Sequence, residues 1–170
     1  KPFVRLAYNT SSLNIQAHWN RRNTITPQIV MNAAASSAER SDVYVIDAQW
    51  NGSFMNDAMK LIIGASHEYQ AVNTSLLGAL PLLNPDGLHN NFSGVYAQAE
   101  LDIMPSLRFV GAARIDRSTF FDTQFSPKAA LVFSPIQDHT FRLTLNRSFL
   151  RPSYADLYRY SPAGAPVNLA

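Results

Sequence analysis

Between Leu107 and Asp116 the side chains sort into two sets with a period of two. Leu107, Phe109, Gly111, Ala113 and Ile115 fall on one side, and Arg108, Val110, Ala112, Arg114 and Asp116 on the other. Successive side chains of a β-strand point to opposite faces, so this segment predicts a strand with one apolar and one largely polar face. The same period recurs along the chain. Val95, Ala97, Ala99, Leu101 and Ile103 oppose Tyr96, Gln98, Glu100 and Asp102; Phe141, Leu143 and Leu145 oppose Arg142, Thr144 and Asn146. Leu13, Ile15, Ala17 and Trp19 oppose Asn14, Gln16 and His18, while Tyr44, Ile46, Ala48 and Trp50 oppose Val45, Asp47 and Gln49. From Leu61 to Tyr69 the apolar side is interrupted by His67. Eight strands are predicted, at residues 3–8, 12–20, 42–53, 59–70, 92–103, 107–118, 126–134 and 139–150. Several reach about 10 residues, the length at which a tilted strand crosses a bilayer.

Alternation by itself also describes a soluble sandwich, whose apolar side faces a core. Two further patterns point to a membrane. Connectors alternate in length: short turns at Asn9–Ser11, Met55–Ala58, Met104–Ser106 and Ser134–Asp138 are separated by longer segments at Asn20–Ser41, Ala71–Asn91 and Ser118–Gln124. Short turns at one end and long loops at the other are the habit of outer-membrane barrels. Aromatic residues also gather near strand ends on the apolar side. Trp19, Tyr44 and Tyr69 lie by the long connectors, with Tyr8, Phe109, Phe133 and Phe141 by the short ones. Amphipathic rings prefer the headgroup level, so two such groups read as girdles. The expected fold is all-β, an antiparallel transmembrane β-barrel segment of about eight strands.

Composition agrees with this reading. Charged residues make up 15% of the chain and hydrophobic ones 46%, with fewer charges than the roughly 25% usual in soluble domains. A net charge of +2 with scattered basic residues gives no footprint for nucleic acid. Cysteine is absent, which excludes disulfides and thiol chemistry. The chain holds no apolar run long enough for a transmembrane helix and no signal-peptide pattern. Its opening Lys1–Arg5 reads as mid-strand and its closing Ala163–Ala170 as loop, so both ends are expected to be internal to a longer protein. The four histidines, His18, His67, His89 and His139, lie in separate segments without metal-ligand spacing. No nucleophile-elbow or phosphate-loop string occurs, and neither an enzyme nor a cofactor is expected.

From Asn91 onward, four strings occur in order. Ser93-Gly94-Val95-Tyr96-Ala97-Gln98-Ala99-Glu100-Leu101 is similar to the "GxYxQDEW" strand of TonB-dependent receptors, and Gly111-Ala112-Ala113-Arg114-Ile115-Asp116 resembles their "GARYD". Phe125–Pro135 resembles "SPKxGLxYxP", and Phe141–Phe149 with Arg151–Tyr158 resembles "xRxxYxRxFRxPSxxELY". The chain departs from the pattern at Leu101 and Asp102, where an aromatic is usual, and at Ala130, where glycine is usual.

The resemblance implies a barrel of about 22 strands whose lumen is filled by a separate plug domain. Residues 1–170 would be part of that wall, with no plug recognisable. It further implies a bacterial outer-membrane location and import of a scarce ligand such as an iron chelate, cobalamin or a glycan. The partners would be outer-membrane lipid, the small ligand, and a TonB-type energy-coupling protein acting through the plug.

Inward charges are expected at Arg5, Arg108, Arg114, Lys128 and Arg142 against Asp47, Glu68, Glu100, Asp102 and Asp116, since charge on the lipid face is costly. They form either a balanced wall against water or plug, or in part a guide for an anionic ligand. Candidate ligand contacts are Arg114 and Arg142 on the wall, and Arg151, Tyr154 and Tyr158, with Tyr160, in the terminal loop. Local packing or anchoring at the headgroups is the plainer role for the terminal group. Two other architectures fit parts of the pattern. One is a complete eight-stranded outer-membrane anchor or adhesin. The other is a soluble lipocalin-like barrel, which would turn its apolar face inward.

Overall fold

A computed structural model describes residues 2–23, 28–30, 35–74 and 87–158. Eight strands form one antiparallel sheet: β1 (Phe3–Asn9), β2 (Leu13–Asn23), β5 (Arg40–Phe54), β6 (Met59–Asn73), β7 (Leu88–Met104), β8 (Leu107–Ser118), β9 (Gln124–Ile136) and β10 (His139–Asn146). Their order in the sheet is their order in the chain. Between β2 and β5, where a loop was expected, β3 (Gln28–Val30) and β4 (Ala35–Ser37) pair as a small separate hairpin. A five-residue helix α1 (Tyr154–Tyr158) follows β10. Among the described residues the sheet does not close: β1 pairs only with β2, and β10 only with β9.

The short turns fall where the sequence places them, and their backbone is tight. Met55, Asn56 and Asp57 all take positive φ, as does Asp138 in the last hairpin. Asn and Asp tolerate this left-handed region because their side chains bond locally, whereas Met55 occupies it against its steric preference. We call the short-turn end of the sheet lower and the long-connector end upper.

Register shows that the strands are staggered. One row of paired residues runs Tyr8, Ile15, Ala48, Ala65, Val95, Ile115, Phe125. Tyr8 stands next to last in β1, at the lower end; Phe125 is second in β9, at the upper end. A row perpendicular to the strands therefore climbs from one rim to the other, which is the tilt and shear of a barrel wall.

The two faces differ in kind. Val95 and Ile115 on the apolar face are 53% and 45% exposed, while Asn90 and Asp116 on the polar face are 2% exposed. The sheet is thus crowded and concave on its polar side. Val4, Leu6, Ile46, Ile63, Leu131, Leu143 and Leu145 all lie open on the other. That is the inverse of a lipocalin-like barrel, and so broad an apolar face suits hydrocarbon rather than water.

Trp19, Tyr44 and Tyr69 sit side by side in one register row, with ring centroids 6.2 Å apart at each step. Tyr44 and Phe54 share the outer face of β5; ten residues at about 3.3 Å each, tilted about 40°, span about 25 Å, the height of an outer-membrane apolar band. His67 lies one outward position below Tyr69 and bonds Ser93 Oγ through Nδ1 at 2.8 Å. Its polarity belongs to the border of the band, because the climbing row brings Ser93 and Arg117 to the upper rim beside it.

On the concave side the Tyr96 ring lies across Gly64, where any Cβ would overlap the phenol. Only glycine leaves the backbone bare enough for this contact. Gly64→Ala should lower the unfolding temperature in detergent, costing about 1–3 kcal/mol through overpacking. Combined with Tyr96→Ala, the cost should fall short of the sum of the two single changes; strict additivity would show that the ring and glycine are uncoupled.

Candidate functional site

The concave wall is built from side chains two residues apart on neighbouring strands. Tyr96 on β7 crosses Gly64 on β6 and donates its hydroxyl to Gln49 Oε1 on β5 at 3.1 Å. Arg114 on β8 sets its guanidinium 5.6 Å from the Tyr96 ring centroid and donates Nε to both Asp116 oxygens at 2.8 and 2.9 Å. Gly94 makes room for that pair, since a Cβ there would strike both side chains. Asp116 is buried and Arg114 is 37% exposed, so the cation reaches the concave space with its charge already largely matched. Among the other inward charges, Arg108 pairs with Asp102 at 2.5 Å near the lower rim.

Arg142 stands apart, on the inner face of β10, where Nε donates to Thr144 Oγ1 at 3.3 Å. It borders a polar hollow of about 440 Å³ with Gln98, Glu100, Arg108 and Lys128. Neither Arg114 nor Arg142 joins the other three candidates.

Those three lie together at the upper mouth. Beyond β10 the chain turns back over the inside of the sheet as far as β6. Phe149 packs edge-on against Phe121 at 5.2 Å, and Phe121 lies 6.0 Å from Phe92. Arg151 stacks over Phe92 at 4.4 Å and donates Nη2 to Glu68 Oε1 at 2.6 Å. Tyr154 meets Phe120 edge-on at 5.0 Å and donates its hydroxyl to the Gln70 carbonyl at 3.1 Å. Tyr158, more exposed, lies 5.3 Å from the same Phe120. Tyr160 is outside the described residues.

Two local devices hold this strap. Asn90 Oδ1 accepts from Ser118 Oγ, Thr119 N and Thr119 Oγ1, pinning the connector that presents Phe120 and Phe121. Ser153 and Asp156 cap α1 reciprocally: Ser153 N and Oγ donate to Asp156 Oδ2 at 2.7 and 2.8 Å, and Asp156 N donates to Ser153 Oγ at 3.3 Å. These bonds, from the Ser153 backbone first and its hydroxyl second, hold the Asp156 carboxyl below the usual carboxylate range.

Sequence reasoning placed Glu68 on the inner face but had no means of pairing it with Arg151, 83 residues away. Phe92, Phe120 and Phe121 were missed as the strap's partners, and Gly64 and Gly94 as the wall's points of close approach. The Ser153-x-x-Asp156 spacing is a legible capping signal in retrospect. Among the described residues, no group of three His, Asp or Glu side chains is placed to hold a metal ion.

Two measurements test the strap. Arg151→Ala and Glu68→Ala should be strongly non-additive, with a coupling of about 1–2 kcal/mol for a half-buried charged hydrogen bond. Zero coupling would mean that the pair contributes nothing. Burial pushes the Tyr154 phenol from 10.0 up to about 12. Because the folded pKa is raised, the contact's contribution is whole below pH 10 and is lost as pH climbs toward 12. The phenolate absorbance missing from Tyr154→Phe should therefore titrate near 12, and a component near 10 would contradict the burial.

The chain superposes on the siderophore receptor PirA from Pseudomonas aeruginosa with a TM-score of 0.62 at 13% identity, covering 88% of this chain and 34% of that one. On a variant of the ferric enterobactin receptor PfeA from the same organism the TM-score is 0.65 at 15% identity, covering 89% and 25%. It thus spans about a third and a quarter of these two proteins. No curated protein matches it in sequence. The likeness in structure establishes a shared fold, and the family described as "TonB dependent receptor-like, beta-barrel" matches residues 3–170. An open, staggered sheet with an apolar outside and a charged, aromatic inside is accounted for by that match: the chain belongs to the TonB-dependent receptor β-barrel family, whose members are outer-membrane transporters of Gram-negative bacteria.

Proposed function

We propose that this chain forms wall and upper mouth of an outer-membrane importer for a scarce ligand, with an iron chelate first among the candidates, then cobalamin or a glycan. The carrying observation is the opposition of faces within single strands: open apolar side chains outside, and paired charges with crowded polar groups inside. This supports a wall between hydrocarbon and an aqueous or plugged lumen. In this reading the chain lies in the bacterial outer membrane and is not an enzyme. Ligand movement depends on a TonB-type energy-coupling protein acting through a plug domain. Iron chelates come first because PirA and PfeA are named for siderophore and ferric enterobactin reception.

Within the mouth, Tyr158 offers an open aromatic surface backed by the half-buried Phe120. Arg151, Tyr154 and Tyr158 are proposed as ligand-contacting or ligand-shaping residues, with Arg114 and Arg142 lining the path below. The test is uptake by cells making the protein as their genome encodes it. Deleting its gene should abolish uptake of one iron chelate, and so should de-energising the inner membrane. Tyr158→Ala should weaken binding of that chelate about tenfold, roughly 1.4 kcal/mol. Undiminished uptake of iron chelates, cobalamin and glycans in the deletion strain would overturn the reading.

A further inference from the structure

The outer face changes character one step above the aromatic row. Arg21, Asp42, Ala71 and His89 share the next outward register row, with Arg40 and Asn73 paired one step higher. Asp42 is already engaged. Its Oδ1 accepts from Arg21 Nε at 2.7 Å and from Trp19 Nε1 at 2.9 Å, while Arg21 also stacks 5.2 Å from the Trp19 ring. Among the described residues, the Arg40 and His89 side chains enter no hydrogen bond or ion pair. The short Ala71 side chain between their strands leaves a notch of about 230 Å³, bordered by Arg40, Asp42, Tyr69, Ala71 and His89. Locally, two arginines and a histidine face one carboxylate, whose Oδ1 is already engaged twice.

Directly below, and sharing Tyr69 with the notch, runs an apolar groove of about 330 Å³ lined by Leu6, Ala17, Trp19, Tyr44 and Ile46. The tyrosine row sets the depth, because such rings settle where hydrocarbon meets headgroups. A cationic notch just above that level and an apolar groove just beneath it match the two halves of one molecule. We infer that this face is a binding site for a single membrane lipid, with its phosphate in the notch between Arg40 and His89 and an acyl chain along the groove. Arg40 supplies a charge-assisted donor fork to the phosphate oxygens, and His89 a ring N–H. Arg21 keeps Asp42 neutralised, so the carboxylate does not repel the anion. The site rests on the membrane reading proposed above and adds to it a fixed lipid.

The test uses the protein as its cell makes it, purified in a neutral maltoside detergent and titrated with short-chain phosphatidic acid. Diacylglycerol of the same chain length and inorganic phosphate serve as separate probes, and the readouts are Trp19-sensitive fluorescence and unfolding temperature. Phosphatidic acid should bind saturably, and Arg40→Gln and His89→Gln should each weaken it about fivefold, as expected for one basic group at a lipid surface. Arg22→Gln, on the opposite face of β2, should leave binding unchanged. Equal binding of inorganic phosphate would make this a free-anion site and overturn the proposal. Equal binding of diacylglycerol would reduce it to an apolar groove and overturn it as well, as would variants that bind like the wild type. Fractionation of the cells separates this failure from that of the underlying reading. A protein found in the outer membrane that ignores the lipid sinks only the site, whereas one found elsewhere sinks both.

Discussion

Every peptide N–H and C=O inside hydrocarbon must find a partner in protein, since no water is there to take its place. In this chain the antiparallel ladder pairs those groups across the sheet and leaves them open, among the described strands, along the outer edges of β1 and β10; the rest of the structure follows from that ladder. A ladder forces side chains to alternate, and alternation lets a single strand face two different solvents. Ile115 stands open on one side while Asp116, the next residue, is buried and ion-paired on the other. A shift of one residue in any pairing would exchange the two faces. The unbroken register across β5, β6 and β7 is therefore as necessary as the apolar residues themselves.

The same ladder shapes the interior. Closing a wall requires stagger, and the row from Tyr8 to Phe125 displays it directly. Curvature toward the polar side crowds the inner residues, and the glycines sit where crowding would be worst. Gly64 lets Tyr96 lie flat, and Gly94 lets Arg114 and Asp116 pair against the backbone. The inner charges are thereby satisfied within the wall rather than left as an open electrostatic field. Only at the upper mouth does the chain add a second layer, the strap that runs back from β10 to Glu68 and Gln70. Its contacts are aromatic edges and one charged fork, which hold a loop segment at the rim without extending the sheet.

Outside, the strands continue past the apolar band, and this explains the main difference between the predicted and observed lengths. β5 was expected from residue 42 and begins at Arg40; β6 was expected to end at 70 and reaches Asn73; β7 was expected from 92 and begins at Leu88. Above the tyrosine row the outward residues are Arg21, Arg40, Asp42, Ala71, Asn73 and His89. The hydrogen-bonded ladder persists there, but both faces are now wet and the period-two contrast disappears. The last strand errs the other way: expected to 150, it ends at Asn146, because the following residues leave the ladder to form the strap.

The sequence by itself determined the strands, their two faces, the short turns and the upper aromatic row. Each of these is local: a period of two needs only neighbouring residues, and a turn needs only its own backbone. It also placed Arg108, Arg114, Lys128 and Arg142 on the inner side, since parity along a strand assigns the face. The tertiary structure decided what parity cannot reach. It joined Arg151, Tyr154 and Tyr158 into one cluster while leaving Arg114 and Arg142 elsewhere on the wall. It also paired Arg151 with a glutamate 83 residues away and aligned Arg40 with His89 across Ala71. Those contacts depend on register and stagger, which are properties of the assembled sheet, and no single strand carries them in its own residues.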